Sequence, residues 1–137
     1  MQLAGLVVDY GGVLTDWGPE PGDEPPLLDV LRQARKHGLR TALLSNADGP
    51  GPAPDSAFGM LFDVMVLSGE VGVAKPDERI YQLVADKLGL ATADCVFVDD
   101  LAGNVRGAVA AGMVGVHHTS VSATITELEA LFETKLA

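Results

Sequence analysis

The sequence predicts an α/β protein built on a doubly wound sheet of five parallel strands, in one domain spanning residues 1–137. Two observations carry that expectation. Five short apolar runs rich in β-branched residues punctuate the chain, and segments with helical spacing lie between most of them. Near-continuous apolar strands mark burial on both faces of a sheet, and strands alternating with helices build parallel α/β layers.

The first strand is "LVVDY" (6–10), where an apolar run meets Asp9 and then two glycines, Gly11 and Gly12. "PPLLDVLRQARKHGL" (25–39) follows as a helix, with Leu27, Leu28, Leu31 and Ala34 at helical spacing and Gly38 as its stop. "RTALLSN" (40–46) is the second strand. Residues 47–62 carry Pro50, Pro52 and Pro54, which predicts a connection that is mostly loop with a short helical turn. "DVMVLS" (63–68) is the third strand. The next helix starts at Pro76 and Asp77, turns Ile80, Leu83, Val84 and Leu88 inward, and stops at Gly89. "CVFVDD" (95–100) is the fourth strand, and "LAGNVRGAVAAGM" (101–113) is a small-residue helix able to lie close against the sheet. "VGVHHTS" (114–120) gives the fifth strand, and "SATITELEALFETKL" (122–136) a closing helix with a Ser or Thr cap.

Composition narrows the function. Hydrophobic residues make up 47% and charged residues 20%, a globular balance. The net charge is −10 and the nine basic residues are scattered, so the chain lacks the clustered Lys and Arg of a nucleic-acid surface. Cys95 is the single cysteine, sits in an apolar run, and suits a reducing compartment. The first residues lack the basic segment of a secretory signal, and no run approaches the ~18 apolar residues of a membrane span. The expectation is a cytoplasmic protein with no membrane or nucleic-acid partner.

The polar residues gather where the strands end. Asp9 ends the first, Ser45 and Asn46 the second, Asp99 and Asp100 the fourth, and Lys75 precedes the helix that follows the third. Ligands of doubly wound sheets bind at these carboxyl ends. Three converging carboxylates repel one another unless a cation intervenes, and an oxygen-rich site suits Mg²⁺. One Lys and one hydroxyl would complete a site for a phosphate group.

The order Asp9, then Ser45-Asn46, then Lys75-Pro76, then Asp99-Asp100 resembles the four motifs of the haloacid dehalogenase (HAD) superfamily of phosphohydrolases. "GVAKPDERIY" followed by "VFVDDLAGNVRGAVAAGM" is the most specific part of the resemblance. It implies a three-layer Rossmann-like, HAD-like fold with the first strand between the second and the fourth. It also implies a Mg²⁺-dependent phosphatase acting on a phosphate monoester. Asp9 would be the nucleophile forming an aspartyl-phosphate. Ser45, Asn46 and Lys75 would bind phosphate. Asp9, Asp99, Asp100 and the carbonyl of Gly11 would hold Mg²⁺, Asp100 as the main acidic ligand, with Asn104, one helical turn on, orienting Asp100.

The chain departs from the family pattern in two ways. Most of these phosphatases carry a second aspartate two residues past the nucleophile, as the acid–base; here Gly11 stands there. Asp16 is a conceivable substitute, though a charge in that loop is ordinarily just solvated, and His117 and His118 read as ordinary surface histidines. The chain also has no room for a cap domain: only Trp17 to Arg40 separates the first two strands, and Ser45 to Lys75 is equally short. Trp17 and the "GPGPAP" loop (49–54) could form a partial rim, or a homo-oligomer could cover the site. The substrate would be a small phosphorylated molecule or a phosphorylated macromolecule. A non-catalytic HAD-like domain binding phosphate or protein, and a metal-independent haloacid dehalogenase, are the alternatives. A receiver-like signalling domain places its acidic pair after the first strand, an order this chain lacks.

Overall fold

Every residue of β1 (Gly5–Val8) is buried, because helices cover both faces of the strand. The computed structural model describes residues 2–137. With β2 (Arg40–Ser45), β3 (Val64–Leu67), β4 (Cys95–Asp99) and β5 (Val114–His117), β1 forms a parallel sheet in the order β3-β2-β1-β4-β5. The first strand is central, between the second and the fourth.

Five helices flank the sheet: α1 (Pro26–Lys36), the single turn α2 (Ser68–Val71), α3 (Glu78–Leu88), α4 (Ala102–Ala110) and α5 (Val121–Phe132). Side chains alternate along each strand, which divides the core in two. Leu6, Val8, Leu43, Val96 and Val98 pack with Leu27, Val30 and Leu31 of α1 and Leu128 of α5. Val7, Ala42, Leu44 and Phe97 pack on the other side with Ile80, Tyr81 and Val84 of α3 and Ala108 of α4. This three-layer arrangement explains why the strands read as unbroken apolar runs rather than alternating ones. Among the described residues, no helix is long and apolar enough to cross a membrane.

Local chemistry sets the helix ends. The Asp77 carboxylate accepts from the Arg79 amide at 2.9 Å, and Gly89, at φ 74°, closes α3 in the left-handed region. Ser120 caps α5 through the Ala123 amide, so that helix starts earlier than 122. The connection after β2 is loop with one tight turn at Gly59–Leu61, as its prolines predict. The turn α2 is absent from the sequence expectation. The fifth strand stops at His117 instead of running to 120, because His118 turns inward and is 4% exposed. Its Nδ1 lies 2.7 Å from Thr124 Oγ1 and its Nε2 2.7 Å from Asp16 Oδ2, which pins the loop after Asp9 onto α5. His118 is therefore an interior residue, and the reading of it as a surface histidine is corrected.

Register brings the polar residues together. Val8 is level with Leu43 on one side and Val98 on the other, so Asp9 comes level with Leu44 and Asp99. The small residues of α4 let it approach closely: a Cβ on Gly107 would sit 2.6 Å from the Pro76 carbonyl oxygen, next to Lys75. Gly107→Ala is expected to destabilise the protein by about 1–3 kcal/mol in denaturant unfolding, through overpacking against Pro76. Gly103→Ala in the same helix, where a Cβ would only touch the end of Arg106, is expected to be neutral or stabilising. Equal stability of the two variants would contradict the close approach.

Candidate active site

Lys75 lies at the centre of the site. Its ammonium donates to Asp9 Oδ1 at 2.8 Å, to Asp99 Oδ2 at 2.9 Å and to the Leu44 carbonyl at 3.0 Å. The side chain is 1% exposed. An ammonium has three hydrogens, and all three are engaged. Leu44, on β2, has no sequence signal for this duty, since any residue offers a carbonyl.

Asn46 holds the lysine from behind. Its Oδ1 accepts from the Lys75 amide at 2.9 Å and its Nδ2 donates to the Lys75 carbonyl at 3.1 Å. Asn46, grouped above with the phosphate-binding residues, thus has its side chain engaged in fixing Lys75. Asp99 has the same character. It is fully buried; Oδ1 accepts from the Leu101 amide at 2.9 Å, and Oδ2 accepts from Lys75 and from Asn104 Nδ2 at 3.1 Å. Asn104 thus orients Asp99 and not Asp100, because strand pleating turns Asp99 toward α4. Asn104 is held in turn by the Tyr81 hydroxyl, which donates to its carbonyl at 2.6 Å. The buried line Tyr81–Asn104–Asp99–Lys75–Asp9 crosses from α3 through α4 and β4 to β1.

Asp9 and Asp100 have a different setting. Burial pushes the Asp9 carboxyl above the ordinary aspartate range, against the opposing pull of Lys75. Asp100 lies just past β4, partly exposed, with its carboxylate packed on Gly12. A Cβ on Gly12 would overlap Asp100 Oδ2, and Gly12 has φ 80°, so that position favours glycine twice over. Gly11 is unlike it: at φ −66° and ψ 130° any residue is accommodated, and a Cβ there would meet nothing within 4 Å. His117 Nε2 lies 2.9 Å from the Asp100 carbonyl oxygen and braces the backbone there.

Oxygens of Asp9, Asp99 and Asp100 lie within 4.8 Å of one another, a hard donor set that fits Mg²⁺. Both oxygens of the buried Asp99 accept hydrogen bonds from the protein, whereas Asp9 and Asp100 are the carboxylates of this cluster that line the pocket. Asp9, Gly11, Ser45, Asn46, Lys75, Asp100 and Asn104 line one pocket of about 420 Å³. Trp17, half exposed, is not among its lining residues. Asp16 is occupied elsewhere: hydrogen bonds from the Gly18 amide and His118 hold its carboxyl below the usual range, the wrong direction for a proton donor. The Asp16–His118 pair joins positions too far apart for any sequence motif to reveal.

Comparison with known proteins agrees with this architecture. The model of the haloacid dehalogenase-like hydrolases matches residues 7–112. "Phosphatase MT3486" of Mycobacterium tuberculosis (strain CDC 1551 / Oshkosh) is 39% identical over 93 residues, covering 65% of this chain and 43% of that protein. The crystal structure of an uncharacterized protein from Corynebacterium glutamicum ATCC 13032 Kitasato has a TM-score of 0.84 and 39% identity, covering 97% of both chains. A HAD family enzyme from Bacteroides thetaiotaomicron, crystallised with magnesium and inorganic phosphate, shares the fold at a TM-score of 0.64 and 16% identity, over 87% of this chain and 96% of that one. The chain spans about half the length, or less, of the curated relatives it matches. The matched span includes Asp9, Ser45, Lys75 and Asp100, and the chain belongs to the haloacid dehalogenase-like hydrolase family.

Proposed function

We propose that this chain is a Mg²⁺-dependent phosphatase that opens phosphate monoesters through an aspartyl-phosphate on Asp9. The observation that carries the reading is the Lys75–Asp9 pair beside Asp100, at the sheet edge where such folds bind ligands. The 39% identity to a protein named as a phosphatase supports it.

Lys75 holds Asp9 Oδ1, which leaves the second oxygen of that carboxylate for in-line attack on phosphorus. The P–O bond to the alcohol breaks as the bond to Asp9 forms, and the alcohol oxygen leaves with the electron pair. Water then attacks phosphorus, releasing phosphate and restoring the carboxylate. Ser45 lines the pocket and donates its hydroxyl hydrogen to a phosphoryl oxygen. Asp9, Asp100 and the Gly11 carbonyl would hold Mg²⁺, which when bound offsets negative charge on the transferring group. Asn46, Asn104 and Asp99 keep Lys75 and Asp9 in register. With no side chain at Gly11 and Asp16 tied to His118, the leaving oxygen departs without a proton from the protein. Acidic alcohols such as phenols are therefore favoured.

Purified protein is expected to release phosphate from an aryl phosphate with Mg²⁺ and to lose that activity in a chelator. Asp9→Asn is expected to reduce the rate by more than about 10³-fold. Equal rates in both proteins would favour the non-catalytic alternative. Because the backbone at position 11 accepts any residue, Gly11→Asp is expected to speed hydrolysis of alkyl phosphates by ~10²–10⁴-fold, with a smaller gain on aryl phosphates. No gain on either class would contradict the missing-proton account.

Function at Asp9 opposes stability. Its raised pKa means that ionising it costs folding free energy, and this cost vanishes as pH falls to the unfolded-state value of about 3.9. In metal-free buffer Asp9→Asn is expected to melt above the wild type at pH 7.5, with the difference shrinking on acidification. A lower melting temperature for the variant at pH 7.5 would contradict it.

A further inference from the structure

A second cleft adjoins the Asp9 pocket, and its chemistry is different. Its volume is about 470 Å³, inside the range of about 300–1,000 Å³ common to small-molecule sites. Leu43 and Leu67, both buried core residues, line it from the sheet. Phe58, Pro50 and Pro52 line it from the proline-rich connection. The Phe58 ring is braced edge-on by Tyr10, with centroids 5.7 Å apart, and by Phe62 at 5.2 Å, which fixes an aromatic wall. Asp48 is the one charged residue in the lining.

The cleft and the Asp9 pocket share Tyr10, Ser45 and Ala47 in their walls, so the two lie side by side. A molecule with its phosphate at Ser45 has two directions open to it. The charged and amide side chains Asp9, Lys75, Asp100, Asn46 and Asn104 line the Asp9 pocket, with Leu101 at its edge, whereas the adjoining cleft is mostly apolar. We propose that this cleft receives the organic group of the substrate, and that the substrate is a phosphate monoester whose organic group is uncharged and apolar. Asp48 repels a second anionic group on the same molecule, which disfavours bisphosphates and phosphorylated acids. Pro50 and Pro52 form a stiff wall, with little conformational freedom to lose on binding. The proposal rests on the phosphatase reading, because it takes the phosphate to lie at Ser45.

The test is calorimetric binding of methyl-, butyl- and octylphosphonate in the presence of Mg²⁺, since these probes cannot be hydrolysed. Each methylene fully buried in the cleft tightens binding by up to about fourfold, and about half that free energy over the seven added methylenes is expected to make octylphosphonate bind about 100-fold more tightly than methylphosphonate. Pro52 lines only the apolar cleft, and Pro52→Glu is expected to collapse the octyl-to-methyl ratio below about tenfold. A wild-type ratio near one, no binding of any phosphonate, or a ratio that Pro52→Glu leaves intact would overturn the proposal. The phosphatase reading fails by a separate readout, the absence of Asp9-dependent phosphate release. Chain-length dependence without that release would refute turnover while preserving the apolar subsite.

Discussion

The structure of the site depends on one buried ammonium. Lys75 sits among Asp9, Asp99 and the Leu44 carbonyl with all three hydrogens used, and nothing else in the network offers a positive charge to those carboxylates. A buried charge pair is tolerated only when its hydrogen-bonding groups are satisfied. The protein meets that condition by dividing the labour. Asn46 fixes the lysine backbone, Asn104 and the Leu101 amide hold Asp99, and Tyr81 holds Asn104. Among the described residues, no buried side-chain nitrogen or oxygen lacks a partner. Asp9 and Asp100 are the carboxylates of the cluster that line the pocket.

This division sharpens the roles that motif order alone assigns. The two aspartates at the end of β4 sit in different surroundings. Strand pleating turns Asp99 inward, where it neutralises Lys75, while Asp100 falls past the strand end and stays partly exposed. The two glycines after Asp9 differ in the same way. Gly12 is required by its left-handed backbone and by the Asp100 carboxylate against it; Gly11 is required by neither. The fold therefore places no requirement for glycine on position 11.

The fold was largely legible in the sequence, because burial on both faces writes each strand as an apolar run and Gly38 and Gly89 mark the ends of α1 and α3. Strand ends were less legible: His117 and His118 extend the apparent fifth strand, although His118 leaves the sheet to meet Asp16 and Thr124. That these residues meet at one pocket was readable, since Asp9, Ser45 and Asp100 fall at or just past strand ends and Lys75 follows β3 after the turn α2. Allocation of hydrogen bonds was not. Whether Asn46 faces phosphate or the Lys75 backbone depends on a few ångströms of loop geometry, and the Leu44 carbonyl leaves no trace in residue type. The apolar cleft was hidden for a similar reason, as its walls come from β2, β3 and a connection with no periodic pattern.

The most direct test of the account is a crystal structure of the protein with Mg²⁺ and beryllofluoride, a mimic of an aspartyl-phosphate. The account predicts beryllofluoride on the second oxygen of Asp9 with Lys75 still on Oδ1, the metal on Asp9 and Asp100, and Asp99 still bonded to Lys75. A metal held by Asp99 with Lys75 displaced, or beryllofluoride absent from Asp9, would contradict it.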